Sequence, residues 1–344
     1  MTAIGRAPGA WAGQGERRVP SARRAARPDA TRSAPPPYVP GLFERIDFAG
    51  GADPVRGAVR WSPVKSLWWT SMLVLWLSVG TLHASWSAVA VFVGLSALTL
   101  CLGHSIGMHR LLIHGAFECP RRVARALVYL GTLVGLGGPF TMMLNHDTRD
   151  WAQRAPACHP FLSHGRSLAR DFWWQLHCEL HLERPPEFRF PDSLARDRFC
   201  RALQATSMLQ QVPLALLLLA LGGWGWVAWG VGARVCVSIL GHWLVGWFAH
   251  NGEVEGTARR DWHVRGASTQ GYNVSGLGLV TFGECWHNNH HAFPGSARLA
   301  LREDQRDPGW WTLRLLERLG LAWNLRTPET LPPRDGLVPL ADRR

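Results

Sequence analysis

The chain has 344 residues, 47% of them hydrophobic and 19 of them tryptophan, with a formal net charge of +12. Length alone suggests two domains, yet the apolar residues are too unevenly spread for two soluble cores. The seven cysteines (Cys101, Cys119, Cys158, Cys178, Cys200, Cys236, Cys285) are odd in number and contain no Cys-x-x-Cys pair. They exclude a disulfide frame and a thiolate zinc site, and read as free thiols of a reducing compartment.

Residues 1 to about 62 are rich in Arg, Ala, Pro and Gly and lack apolar periodicity, which predicts a disordered basic tail. It carries no apolar h-region and so does not read as a secretory signal peptide. A solvated extension is the plainer reading, attraction to anionic headgroups the other. Ser66 to His83 and Trp86 to Leu102 then form two apolar runs, each of ~17–20 residues, long enough to cross a bilayer. Only Ala84-Ser85 separates them, which predicts a helical hairpin. A second hairpin is predicted from about Leu209 to Phe248, turning at Gly222-Gly223-Trp224-Gly225. Arg234 lies inside it, either snorkelling to an interface or facing protein. A fifth apolar run, Ala126 to Leu144, is interrupted by Gly131, Gly135, Gly137-Gly138 and Pro139, and reads as interfacial or re-entrant.

Both tight turns are uncharged, while the tail, residues 144–206 and residues 249–344 hold nearly all the arginines. The positive-inside tendency places these three segments on the cytoplasmic face. The predicted fold is an all-α membrane protein: four transmembrane helices in two hairpins, an interfacial helix, and a cytosolic cap. The expected organisation is a tail over 1–62, a membrane domain over 63–328 and a C-terminal tail over 329–344. The placement is a multi-pass protein of the bacterial inner membrane. The basic charge is assigned to membrane lipids and soluble partners, not to nucleic acid.

The chemistry-bearing residues gather at the ends of these runs. Gly283-Glu284-Cys285-Trp286-His287-Asn288-Asn289-His290-His291-Ala292-Phe293-Pro294 places three histidines at i, i+3 and i+4. On a helix these share one face, where neutral imidazoles can meet one metal or two adjacent metals. Single histidines are usually structural; this triplet reads otherwise. After the second apolar run, His109 and His114 stand five apart in Gly-Met-His-Arg-Leu-Leu-Ile-His. On a straight α-helix that is about 140° and ~7.5 Å of rise, a poor chelate for one ion. The spacing suits two metals, or a helix that ends between them. His104 lies deeper and reads as a buried, hydrogen-bonded histidine. Asn145-His146-Asp147-Thr148-Arg149-Asp150-Trp151 places His146, Arg149 and Asp150 in the same i, i+3, i+4 frame. His250 ends the last apolar run.

This order of motifs resembles the membrane fatty acid desaturases, the acyl-CoA type above all, over about Ser66 to Pro328. The His-Asn-Asn-His-His box with its Gly-Glu prefix and Ala-Phe-Pro suffix carries most of the resemblance. The segments Asp307-Pro308-Gly309-Trp310-Trp311 and Leu315 to Trp323 add to it. The resemblance implies a cytosolic cap holding two non-haem irons over a tunnel for a long acyl chain. With O₂, hydrogen is removed from two adjacent methylenes to leave a cis double bond. The acyl chain would be attached to CoA, a carrier protein or a lipid. Carried over residue by residue, His109, His114, His146, His250, His287, His290 and His291 take metal-ligand positions.

Three positions depart from the family. Its central box is His-x-x-His-His, where this chain has Arg149 and Asp150. Arginine stays protonated and cannot ligate a cation, whereas Asp150 can, so Asp150 joins the predicted ligands. The family's Asn four residues before the helix-four histidine is Gly246 here. These losses leave one of the two irons short of donors. His159, His164, His177 and His181 read as surface or supporting residues before they read as replacement ligands. Asp147 and Glu284 are candidates to orient ligand imidazoles, and Arg149 to pair with Asp147 or Asp150. Besides desaturation, a related lipid hydroxylation and a non-catalytic lipid-binding role remain open. Without a His-Pro-Gly-Gly haem segment, a cysteine cluster or a Gly-x-Gly-x-x-Gly turn, electrons are expected from a separate ferredoxin, rubredoxin or cytochrome b5. Arg149, Arg154, Arg166 and Arg170 offer a basic docking face for it, or for CoA phosphates.

Overall fold

The protein is represented by a computed structural model that describes residues 45–47, 51–252 and 258–340. Most of the expected tail, residues 1–44, lies outside the described residues. Within its predicted bounds, strand β2 (Gly57–Trp61) pairs antiparallel with β3 (Cys178–Leu182). Upstream, β1 (Ile46–Asp47) pairs with Glu187–Phe188. Arg45, just before it, is fully buried and clamps Asp147 through Nε at 2.6 Å and Nη2 at 2.8 Å. Composition could not show this, since one buried arginine decides it.

Helix α1 (Pro63–Leu75) starts on a Ser62 cap with proline in its first turn and runs on through Trp76–Gly80. Helix α2 (Trp86–Leu98) is capped by Ser85, whose hydroxyl accepts from Ala88 N at 3.2 Å. It continues as a long π-helix over Thr99–Ile113. Trp86–Ile113, 28 residues, is long and apolar enough to cross a membrane, as is Met208–His250, 43 residues. Only 28% and 33% of their apolar windows are buried inside the protein, unlike core helices of soluble proteins. Leu82, Trp86, Leu216 and Leu221 face outward. Within the second run Gly223 adopts φ 71°, ψ −165°, a non-helical conformation that is open to glycine. Leu218 consequently packs against Val227 and Val231 from beyond the break.

The interrupted run becomes two short helices, α3 (Arg121–Leu133) and α4 (Pro139–Arg154). Gly135 and Gly137, both at positive φ, turn the chain between them. Arg234 faces protein, resolving the two options. It is wholly buried, and its guanidinium reaches Gly230 O at 2.7 Å, Leu133 O and the Gln211 amide oxygen. Leu133 O, left over at the end of α3, thus receives two donors, Arg234 and Gln211 Nε2. Glycines bring α3 tight against the π-helix. A Cβ at Gly103 would stand 2.4 Å from Gly131 N, and one at Gly107 would stand 2.5 Å from Leu127 O.

The Arg45–Asp147 pair is buried on both sides, so removing one partner strands a charge. Arg45→Met is expected to destabilise the protein by about 3–5 kcal/mol. Arg45→Met with Asp147→Leu should recover most of the loss. Unfolding midpoints in detergent measure both.

Candidate metal centre

The π-helix sets the first half of the centre. Its hydrogen bonds run i to i+5, as His114 N to His109 O at 3.1 Å shows. Residues five apart therefore stack on one face, and the His109 and His114 rings lie 4.8 Å apart between centroids. The pair, a poor chelate for one ion on a straight α-helix, is brought together by the π-helix. His146 from α4 and His290 from the short helix His287–Ala292 complete the group. One ring nitrogen from each of these four histidines lies within 4.8 Å of the others. His114 Nε2 and His146 Nε2 face each other at 3.4 Å.

A second group combines His250, at the end of the helix Arg234–His250, with His287 and His291. His287 Nε2 is 3.0 Å from both His250 Nε2 and His291 Nε2. The groups adjoin, since the His290 ring is 5.7 Å from His287 and 5.9 Å from His291. Seven of the predicted ligands therefore meet in two clusters.

Their setting suits a metal. His290 is 2% exposed, yet neither of its ring nitrogens has a hydrogen-bond partner. Buried polar groups are seldom left so. Glu284 Oε2 lies 2.6 Å from His109 Nδ1, and Gln270 O accepts from His250 Nδ1 at 3.2 Å. Each leaves Nε2 of the ligand ring free to face the group. All-imidazole donor sets suit Fe(II).

Around the histidines a polar frame fixes their helices. Arg110 donates to Ala297 O at 2.8 Å, to Glu284 Oε1 at 3.1 Å and to Asp307 at 2.8 Å. Asp307 in turn accepts from Trp310 N and Leu299 N. Asn273 Oδ1 accepts from the backbone N–H groups of Asn288 and Asn289 at the start of the histidine helix. The Asn288 side chain bonds Asp261, Trp262 and Gly271, and Asn289 bonds Leu299 and Gln305. The two asparagines of the third box are thus struts.

Several residues are placed differently from the expectation. Asp150 lies outside both groups; its carboxylate lies 3.8 Å from Arg154, one turn along the helix. Arg149 pairs with neither Asp147 nor Asp150. It points the other way, to His164 Nε2 at 2.6 Å, Leu162 O at 3.0 Å and Gln175 Oε1 at 3.0 Å. Asp147 serves Arg45 instead and only approaches His146 Nδ1, at 3.7 Å. Arg149 is half-buried and turned inward, and Arg154 is half-buried beside Asp150, so the expected basic docking face loses two members.

None of the four downstream histidines joins a group. His159 and His177 stack on Trp174 and Trp173, and His181 lies in β3. His164, at φ 55°, is held by Asp171 at 2.8 Å and stacks on His250 with 5.8 Å between ring centres. A Cβ on Gly246 would stand 3.0 Å from His164 Nε2, so this ring fills the space above that glycine. His104 meets His242 edge to face at 5.2 Å.

Sequence reasoning missed Gln153. It is 1% exposed, donates from Nε2 to Leu162 O at 2.8 Å, and brings Nε2 within 3.2 Å of His250 Nε2. Its Oε1 is buried without a partner. The available signal was its place seven residues after His146, on the same helix face.

Burial drives His114, His290 and His291 well below the usual imidazole range and His287 down to about 4. Burial opposes a proton on His146 too, but Asp150 and Asp147 outweigh it and raise that ring. Glu284 is held well below the carboxylate range by His109 and Arg110 against the opposing effect of burial. An unfolded chain protonates its histidines near 6.5, whereas His287 in the folded chain resists until about 4. Metal-free protein should therefore lose stability as pH falls from about 6.5 towards 4. Unfolding midpoints across that range check this. Glu284→Gln, which removes the negative charge beside His109, is expected to lower metal affinity about 10- to 100-fold, measured by competition with a chelator.

The fatty acid desaturase family model matches residues 84–308. The chain is 34% identical over 272 residues to the sn-1 stearoyl-lipid 9-desaturase of Anabaena variabilis, covering 75% of this chain and 93% of that one. It is 33% identical over 267 residues to the sn-2 palmitoyl-lipid 9-desaturase of Nostoc sp. (strain 36), covering 72% and 88%. It is 31% identical over 281 residues to the icosanoyl-CoA 5-desaturase of Limnanthes douglasii, covering 78% and 74%. With both histidine groups and the matched length in hand, the chain belongs to the fatty acid desaturase family of oxidoreductases.

Proposed function

We propose that the protein is an integral membrane desaturase that introduces a cis double bond into a long acyl chain carried on a lipid. Four crossings, in two hairpins that turn near Ala84-Ser85 and Gly223, would bring the histidine groups to the cytoplasmic face. Lipid attachment is favoured over CoA because both cyanobacterial relatives named above act on lipid-linked chains by name. The observation that carries the reading is the convergence of seven histidines, four buried and three half-buried, from four separate segments, with His290 unpartnered at both nitrogens.

His109, His114, His146 and His290 would hold one iron, and His250, His287 and His291 the other. Iron bound there would supply, with O₂ and electrons from an external donor such as a ferredoxin, rubredoxin or cytochrome b5, the oxidising power to remove hydrogen from two adjacent methylenes. The chain's own residues keep the ligand nitrogens free and aimed. Glu284 faces Nδ1 of His109, and Gln270 O accepts a hydrogen bond from Nδ1 of His250. Arg110 anchors Glu284 between the first and third boxes. Close burial shields the centre from bulk water.

Hydroxylation is the second reading, because Arg149 and Gly246 leave the second group with fewer donors than the family pattern. Expression in a host of known fatty acids, followed by mass spectrometry, tests both. The desaturase reading expects products two mass units lighter, abolished by His290→Ala. Products sixteen units heavier would mark a hydroxylase, and no new product would contradict both.

A further inference from the structure

We infer that Gln153 completes the second metal group, supplying its amide oxygen as the donor that Arg149 and Gly246 fail to provide. The inference rests on the two-metal reading above and goes beyond it.

The second group has three imidazoles where the first has four. Its shortage has a visible cause. Arg149 turns away to His164, and the His164 ring fills the space above Gly246. Neither position can reach the group with a neutral donor. One helical turn after Arg149, on the face that carries His146, the Gln153 carboxamide arrives instead. Its Nε2 lies 3.2 Å from His250 Nε2, one of the three ligand atoms.

Two features separate this amide from an ordinary buried glutamine. Gln153 is 1% exposed, and one of its terminal atoms is satisfied by Leu162 O while Oε1 has no partner at all. A buried carbonyl oxygen left so costs about 1–3 kcal/mol, which bound metal would offset. Second, the nearest lone pair, on His250 Nε2, is itself a ligand atom, because the His250 Nδ1 proton is committed to Gln270 O. With that lone pair on a cation, the Gln153 N–H loses its acceptor. The terminal torsion of glutamine is broad, so a turn of the head, which gives up the bond to Leu162 O, presents Oε1 in place of Nε2. Amide oxygen is a hard, neutral donor acceptable to a divalent iron that already has imidazoles.

The test is Co(II) titration of the metal-free, detergent-purified full chain, followed by visible absorption and by metal analysis. Wild type should bind two equivalents. Gln153→Met should weaken the second at least about tenfold and leave the first unchanged, which also reports that the chain is folded. Gln153→Glu keeps an oxygen but loses the N–H to Leu162 O. It should bind the second equivalent as tightly as wild type or more so, with a shifted absorption band. Gln153→Met binding both equivalents like wild type overturns the inference, as does Gln153→Glu behaving like Gln153→Met, which would mark the N–H as a strut. His287→Ala separates the two levels of argument. If it loses the second equivalent while Gln153→Met does not, only the role of Gln153 falls. If His287→Ala also keeps both, or wild type binds fewer than two, the two-metal reading falls with it.

Discussion

Seven imidazoles turned nitrogen to nitrogen in two adjoining clusters are an unfavourable assembly on their own. Their lone pairs meet at 3.0 to 3.4 Å where hydrogen bonds would need one donor in each pair. Burial suppresses the protonated form that could otherwise supply it for His114, His287, His290 and His291. A shared cation would resolve this conflict, and the rest of the molecule can be understood as the frame that holds the imidazoles in place.

That frame is built from charge pairs and amides more than from apolar packing. Arg110 ties the first box to the third through Glu284 and Asp307. Asn273, Asn288 and Asn289 stitch the short histidine helix to the loops around it. Arg45 fastens the segment before β1 to α4 beside His146. Most of these contacts are buried, and each fixes an element that carries one of the clustered histidines. Glycine-mediated contact between the π-helix and α3 sets where His109 and His114 stand.

The histidine boxes were legible in the sequence because i, i+3, i+4 spacing reports a helix face directly. Two apolar runs were equally legible from length and composition. His109 and His114 were judged a poor pair for a single ion, because five-residue spacing was converted into angles with the α-helical period. Hydrogen bonds running i to i+5 change that conversion, and no residue in Thr99–Ile113 announces them. Asp150 and Arg149 were misplaced for another reason. Their direction depends on partners 4 to 26 residues away, Arg154, His164 and Gln175. Arg45 looked like one more charge in a basic tail, since its partner Asp147 is 102 positions distant. Gln153 sat on the right face, but glutamine carries no metal signature, and only its unpartnered oxygen marks it.

The central claim is that imidazoles from distant segments grip iron in two adjoining groups. Iron K-edge X-ray absorption of the purified protein tests it most directly. The account predicts about two irons per chain in a shell dominated by imidazole nitrogen, with no sulfur neighbour and a second iron within reach of the first. Less than one iron per chain, or a shell dominated by sulfur or carboxylate oxygen, would contradict it.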